Sequence, residues 1–394
     1  MNTVTLHELK TAYAYKTTRE LRFTYWIFTL LHYPTLVKIL SRMAEFILQY
    51  RLPFKGLIRS TVFKVFCCGE NEKEAFHTIA HLHQHKVLAV LDYVSEGEHN
   101  DTAFNSNTEK IIANIYAEVN GTHTDFISVK LTGLESPDFL ADINCCFRQL
   151  NGKQLERYTR FVNRVNNICE AAAMKQIMVY IDAEESWMQD VIDHLTEEMM
   201  RTYNTRKVIV FNTLQMYRTD RLEYLKAATE RAVQGHYYCG IKLVRGAYLE
   251  KETLKAAEAH QSNPVFERKE DTDAAFNAAV EWCLRHHEVI TTCVATHNEE
   301  SISLALRLVD ELQIPQAHKK LQFSQLFGMS DHLTFNLAAS GYPASKYLPY
   351  GEVEKAIPYL IRRASENTSV NGQMNRDLQL LKQELHRRSV LQAN

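Results

Sequence analysis

Four residues near the end of the chain stand in a pattern suited to gripping an anion. Tyr359, Arg362, Arg363 and Glu366 fall at i, i+3, i+4 and i+7, one face of a helix. Val353, Ile357, Leu360, Ile361 and Ala364 take the opposite face. Two arginines side by side present forked donors to a carboxylate. Glu366 can brace a guanidinium or reach a polyhydroxyl ligand. By spacing alone, a solvated polar face opposite a core face is the commoner meaning of such a pattern. Lys130 closes the apolar run Phe126-Ile127-Ser128-Val129. A lysine there needs a partner or must snorkel to the rim. Asp182 opens the acidic stretch Asp182-Ala183-Glu184-Glu185, which also suits a plain helix N-terminus. Lys130 and Asp182 on neighbouring strands would make a pair. The segment Ile241-Lys242-Leu243-Val244-Arg245-Gly246-Ala247-Tyr248 sets two cations and a glycine together. The glycine permits close backbone approach, and the cations suit a phosphate or a developing negative charge.

The histidines support no metal site. His77, His81, His83 and His85 cluster, but no glutamate follows His77, so H-E-x-x-H fails. His297 lacks the partner ligands that a metal-hydrolase barrel needs. No metal is expected.

These groups need elements to hold them. Residues 1–85 read as helical, with Leu21, Tyr25, Phe28 and Leu31 at helical spacing. From residue 86 the texture changes. β-rich runs at 87–93, 126–131, 177–181, 208–212, 238–244, 289–295, 321–323 and 346–348 alternate with helical patterns such as 155–173, 221–234, 273–285, 301–312 and 352–366. Eight β-then-α units in one run predict an α/β fold, a distorted (β/α)8 TIM barrel. The expected division is an N-terminal helical arm over 1–85, a barrel over 86–368 and a helical tail over 369–394. Functional side chains of such barrels sit at the carboxyl ends of the strands. Every predicted strand ends on or near one: Asp92 with Glu96, Lys130, Asp182, Gln215, Lys242 with Arg245 and Tyr248, Thr296-His297-Asn298, Gln325, and Tyr347.

Composition removes several classes. The 394 residues carry a net charge of −2, with no Lys/Arg run, so no nucleic-acid partner is expected. Glycine is scarce at 13, and no two glycines stand one residue apart. G-x-G-x-x-G is therefore absent, as are the phosphate-cradling loop and the G-x-S-x-G nucleophile elbow. A doubly wound sheet thus lacks its usual fingerprint. Eight cysteines form no C-x-x-C, no secretory leader is read, and reduced thiols in a cytoplasmic setting are expected. The apolar stretch 23–31 is too short to span a bilayer.

Across residues 88–367 the sequence resembles proline dehydrogenase. The resemblance is carried by Tyr180-Ile181-Asp182-Ala183-Glu184-Glu185, by Lys242-Leu243-Val244-Arg245-Gly246-Ala247-Tyr248, by Ala295-Thr296-His297-Asn298, and by Tyr347-Leu348-Pro349-Tyr350-Gly351 running on to Tyr359-Leu360-Ile361-Arg362-Arg363 and Glu366-Asn367. Leu91-Asp92-Tyr93 through Glu96, Ser128-Val129-Lys130-Leu131, Gln215-Met216-Tyr217 and Gln325-Leu326-Phe327-Gly328-Met329 add support in the right order. The resemblance implies non-covalent FAD at the carboxyl rim and oxidation of L-proline to Δ1-pyrroline-5-carboxylate by hydride transfer. Arg362 and Arg363 would bind the proline carboxylate, with Lys130 assisting and Glu96 bracing Arg362. Tyr347 and Tyr359 would enclose the ring, and Leu243 would line it. Asp182 would orient the groups around the substrate, with Lys242 and Tyr347. Gln215, Lys242, Val244, Arg245, Gly246, Tyr248, Lys269, Thr272, Thr296, His297, Asn298 and Glu366 would contact FAD. Family members more often carry arginine at the position of Lys242; the charge is kept and the fork is lost. The bulky phenol of Tyr359 implies proline rather than hydroxyproline as substrate.

The same resemblance implies a quinone as electron acceptor, with peripheral contact on the inner face of a respiratory membrane. Stretch 23–31 is one such surface, although core packing suits it better. No second enzyme is read after the barrel, so a monofunctional chain and a separate pyrroline-5-carboxylate dehydrogenase are expected. Two rivals remain. A methylenetetrahydrofolate reductase would share barrel and flavin, need NAD(P)H, and leave the paired arginines unexplained. A non-redox barrel that binds carboxylates or hydrolyses with a metal would be colourless. A scaffold would leave eight polar strand ends without purpose.

Overall fold

A computed structural model of the chain describes residues 4–33, 35–37, 39–40, 42–43, 55–94, 100–314, 320–369 and 373–393, by backbone alone at 55, 362–369, 373–374 and 392–393. Its strands are β1 (Leu88–Tyr93), β2 (Phe126–Val129), β3 (Met178–Ile181), β4 (Val210–Gln215), β5 (Cys239–Val244), β6 (Ile290–Ala295), β7 (Leu321–Leu326) and β8 (Ala344–Tyr350). They follow one another in chain order round a closed barrel. The pairings of β1 with β8 and of β2 through β6 are parallel. This is the (β/α)8 barrel that the alternation predicts. Strands buried on both faces read as near-continuous apolar runs, which is why they stand out in the sequence.

Three strands run further than their apolar runs suggest. β4 continues through Thr213-Leu214-Gln215 because those residues pair with Lys242-Leu243-Val244. β7 continues to Leu326. β8 takes in Pro349, which pairs in register with Asp92, although proline usually marks a strand's end. Leu131, expected in β2, instead opens the short 3-10 turn Leu131–Gly133.

By internal packing the chain divides into two compact units. The first comprises Met1–Val94, Val119–Thr122 and Ser324–Asn394. Its N-terminal helices include Thr18–Leu31, opened by a capping box between Thr17 and Glu20, and Glu72–His83. Leu21, Phe28, Leu31 and Phe66 share one apolar core with Val353, Ile357 and Leu360, and with Leu380 and Leu381 of the C-terminal helix Gln373–Ala393. Stretch 23–31 thus turns Ile27, Phe28 and Leu31 into the core. The guanidinium of Arg388 donates to the carbonyls of Tyr13 (2.8 Å) and Lys16 (2.9 Å), tying tail to arm. Gly328 takes φ +81°, and a Cβ there would lie 2.2 Å from the carbonyl oxygen of Val65. Only glycine fits that approach.

The second unit comprises Ser95–Glu118 and His123–Phe323. Its helices include Gly152–Lys175, Ser186–Tyr203, Arg221–Gln234, Lys269–Arg285 and Glu299–Glu311. The sheet register sets Ser128 beside Tyr180, Tyr180 beside Phe211, Thr213 beside Lys242, and Lys242 beside Cys293. In-register neighbours share a face. The Tyr180 hydroxyl donates to Gln322 Oε1 at 2.6 Å, from β3 to β7. A bond between non-adjacent strands crosses the interior, so this face is the inner one. Tyr180 stacks on Phe126 at 5.1 Å and meets Phe211 edge-on at 5.0 Å. Three aromatic rings thus fill the interior beneath the polar strand ends.

Candidate active site

Within the second unit, β2, β3 and β5 bring three charged groups together. Asp182 directly follows β3, and its backbone N–H donates to the Val129 carbonyl at 2.9 Å. Its carboxylate accepts from Lys242 Nζ at 2.6 Å through Oδ1 and from Ser128 Oγ at 2.9 Å through Oδ2. Lys130 Nζ lies 3.9 Å from the same Oδ2. The Lys242 ammonium also sits 5.1 Å above the Tyr180 ring. Lys242 is only 5% exposed and Asp182 8%. Burying charge at such a place is costly unless it is paired and hydrogen-bonded, and here it is both.

Glu184 lies two residues on. Its Oε1 accepts from Thr132 at 2.6 Å and its Oε2 from the Tyr248 hydroxyl at 2.7 Å. Burial pushes its carboxyl up to about 7, aided by Glu185 and opposed by these hydrogen bonds and by Lys130. Gln215, the last residue of β4, clamps two loops. Its Nε2 donates to the Glu184 carbonyl at 2.8 Å, and its Oε1 accepts from the Ala247 N–H at 2.9 Å.

Past β5, Arg245 is held three ways: to Asp273 at 2.6 Å, Thr296 Oγ1 at 2.6 Å and Ser301 Oγ at 3.0 Å. Lys269 pairs with the same Asp273 through its other oxygen. Asn298 caps the Glu299–Glu311 helix by accepting from the Ser301 N–H at 2.9 Å. Thr296 and His297 lie just before that helix, where the positive end of the helix dipole favours an anion. Gly246 takes φ +145°, and a Cβ there would lie 2.5 Å from the Tyr217 ring. Val244 is half-buried beside Gly246, Thr272 is buried in the first turn of Lys269–Arg285, and Lys269 is exposed. Leu243 is fully buried and, by strand alternation, takes the side opposite Lys242.

Within the first unit, Lys346 of β8 is fully buried and pairs with Asp331 at 2.9 Å, at the start of the helix Asp331–Ala339. Alternation then turns Tyr347 to the other face of β8, beside Val90 of β1. Tyr359 is buried in the helix Val353–Ser369, among the apolar residues of the arm. Arg362, Arg363 and Glu366 continue that helix by their backbone. Glu96 lies outside the described residues.

The sequence singled out neither Ser128 nor Asp273. Ser128 stands two residues before Lys130 in one strand, and Asp273 stands four after Lys269 on one helix. Either spacing could have pointed to a shared face. Glu184 and Tyr180 appear in the recognised stretches without a role.

Lys242 of β5 and the groups past that strand fit an anionic, polyhydroxylated group. They comprise that buried lysine, an arginine locked in place, a glycine that lets a ligand approach the backbone, and a capped helix N-terminus. The sequence pattern of the family "Proline dehydrogenase" matches residues 75–376. The chain belongs to the proline dehydrogenase family. It is 32% identical over 341 residues to the carbapenem antibiotics biosynthesis protein CarD of Pectobacterium carotovorum subsp. carotovorum, covering 85% of this chain and 87% of CarD. It is 37% identical over 250 residues to mitochondrial proline dehydrogenase 1 of Drosophila melanogaster, covering 61% of this chain and 37% of that protein. In fold it is similar to proline utilization A from Bdellovibrio bacteriovorus inactivated by N-propargylglycine, with a TM-score of 0.70 and 23% identity, covering 83% of this chain and 36% of that one. The chain therefore spans little more than a third of the fly enzyme and of that solved structure.

Proposed function

We propose that this chain oxidises L-proline to Δ1-pyrroline-5-carboxylate, with FAD as the hydride acceptor and a quinone as the next electron acceptor. The observation that carries it is the Lys130–Asp182–Lys242 set, at the ends of β2 and β3 and within β5, in which Asp182 and Lys242 are buried. A bound FAD supplies the two-electron acceptor that no side chain provides. The chain's own work is binding and positioning. Asp182 holds the Lys242 ammonium in one place, so the cation needs no reorganisation when negative charge develops nearby. Ser128 fixes the other carboxylate oxygen and with it the rotamer of Asp182. Arg245, Gly246, Thr272, Thr296, His297 and Asn298 are the proposed FAD contacts past β5, with Gln215, Val244, Tyr248, Lys269 and Glu366. Arg362 and Arg363 are proposed to bind the carboxylate and Tyr347 and Tyr359 to enclose the ring, on the resemblance alone. Among the described residues no helix is long and apolar enough to cross a membrane, so quinone is proposed to be met at a surface. A separate dehydrogenase would consume the product.

Incubation of the FAD-loaded protein with L-proline and a quinone analogue tests this, the imine product being trapped with o-aminobenzaldehyde. L-proline should give the coloured adduct, and trans-4-hydroxyproline much less. No adduct from L-proline would sink the proposal, and a preference for hydroxyproline would overturn the assignment of Tyr359.

A further inference from the structure

Of the eight cysteines, Cys67, Cys68, Cys169, Cys239, Cys283 and Cys293 are buried. The other two are neighbours in sequence: Cys145 is exposed and Cys146 half-buried. They follow the helix Pro137–Ile143 and precede the short 3-10 turn Phe147–Gln149. Hydrogen bonds hold the backbone that carries them. The Cys146 N–H donates to the Ile143 carbonyl at 2.9 Å, and the Cys146 carbonyl accepts from the Gln149 N–H at 2.8 Å. On one side of the pair, Asn144 Oδ1 accepts from the Val191 N–H at 3.1 Å. On the other, the Phe147 ring lies 4.8 Å from that of His194. Both contacts are with the helix Ser186–Tyr203, so the pair sits at the surface between two anchors. The Cys146 thiol donates weakly to the Asp142 carbonyl at 3.7 Å. Desolvation raises that thiol, and the Cys145 thiol, in hydrogen-bond contact with it, raises it further. The other adjacent pair, Cys67-Cys68, is closed off: burial pushes both of its thiols up. Two accessible thiols in contact, in a chain that buries all its others, are placed to react with something outside.

We propose that Cys145 and Cys146 form a two-thiol modification site, which hydroperoxides oxidise to a disulfide and small thiols reopen. The inference goes beyond the proposed reaction and does not rest on it. The exposed Cys145 sulfur, as thiolate, attacks the peroxide. An S–O bond forms, the O–O bond breaks, and the displaced oxygen leaves with a proton as water or an alcohol. The Cys146 sulfur then attacks the Cys145 sulfur. An S–S bond forms, the S–O bond breaks, and water leaves with the Cys146 proton. Two thiols lose two electrons, and one peroxide gains them. The ring so closed contains the peptide bond between the two residues. Their Cα atoms stand about 3.8 Å apart across that bond, short of the roughly 4.4–6.8 Å that disulfides favour. Such a bond is strained and easily reduced, which suits a reversible modification and not a structural brace. A metal ion is the poorer ligand for this pair. Among the described residues no group of three His, Cys, Asp or Glu could hold one.

The test treats the full-length, folded protein with hydrogen peroxide and counts its accessible thiols with a chromogenic aromatic disulfide, without denaturant. Two thiols should react before treatment and neither after it, and dithiothreitol should restore both. The peptide that carries Cys145 and Cys146 should lose two hydrogens in mass, while Cys67 and Cys68 stay reduced. Cys146→Ser should stop at a sulfenic acid on Cys145 that dimedone traps. Cys145→Ser should keep its Cys146 thiol at a dose that closes the wild-type ring. Three results would overturn the proposal. In one, both thiols survive a dose that oxidises free glutathione. In another, Cys145 gains oxygen and the ring never closes. In the third, the disulfide that forms joins two copies of the chain. No readout uses turnover of L-proline, so failure of this site and failure of the proposed reaction are told apart.

Discussion

Asp182 is the residue on which the charged set turns. It is the described carboxylate that meets Lys242, a cation 5% exposed. Asp182→Asn removes the carboxylate charge that meets this buried ammonium at 2.6 Å, which should cost about 3–5 kcal/mol in stability. kcat/KM for L-proline should fall by about 100-fold or more, because the cation is no longer held. Lys242→Met added to Asp182→Asn should restore most of the stability and none of the activity; urea unfolding and steady-state rates read the two effects separately. Glu184 offers a test with a sign. Its folded-state carboxyl stands at about 7, against 4.5 when free. Between those values the unfolded chain binds fewer protons than the folded one, so this residue lowers stability as pH rises through the window, and adds no slope above it. The loss should reach about 3 kcal/mol. Unfolding of wild type minus Glu184→Gln at about pH 5 and about pH 8 isolates it. Equal differences at both would remove the raised carboxyl from the account. Asp182, Lys130 and Lys242 were legible as strand-end charges. The third partner of Asp182 was not, because Ser128 reads as one more small residue in an apolar run, and its bond to Asp182 spans 54 residues.

The elements were more legible than their ends. Doubly buried parallel strands announce themselves as apolar runs, but pairing, not composition, decides where they stop. Thr213–Gln215 became strand because β5 lies beside them, which no local signal shows. The same strand order explains Lys346. A lysine in the middle of β8 looks exposed on paper, yet it is fully buried and paired with Asp331, which also accepts from Lys16 and the Tyr15 hydroxyl. Lys16 and Lys346 hold the Asp331 carboxyl well below the usual carboxylate range, against burial that acts to raise it. That depressed value stabilises the fold above the ordinary carboxylate range, and the contribution is lost as acid protonates the group. Asp331→Asn should therefore destabilise by about 3–5 kcal/mol, whereas the double variant with Lys346→Met should recover much of it. Thermal unfolding decides: single and double variants equally unstable would mean that the pair is not what the site depends on.

At the scale of the whole molecule, eight alternations within some 280 residues made the barrel legible in advance. The packing of the arm was not legible. An amphipathic helix states that it has an apolar face, not which surface that face meets. The structure answers with one core shared by arm, Val353–Ser369 helix and C-terminal helix. Leu381, 2% exposed in that core, is more than 310 residues along the chain from the arm residues that share it. Leu381→Ala should cost about 2–5 kcal/mol, read as a lowered urea midpoint. A change below the noise would show that the tail is an ornament to the fold. The central claim is that this barrel carries flavin chemistry driven by proline. The visible spectrum of the purified, FAD-reconstituted protein tests it most directly, before and after anaerobic L-proline. A yellow protein bleached by L-proline is the predicted result. A yellow protein bleached by NADPH and indifferent to L-proline, or one that holds no flavin at all, would contradict it.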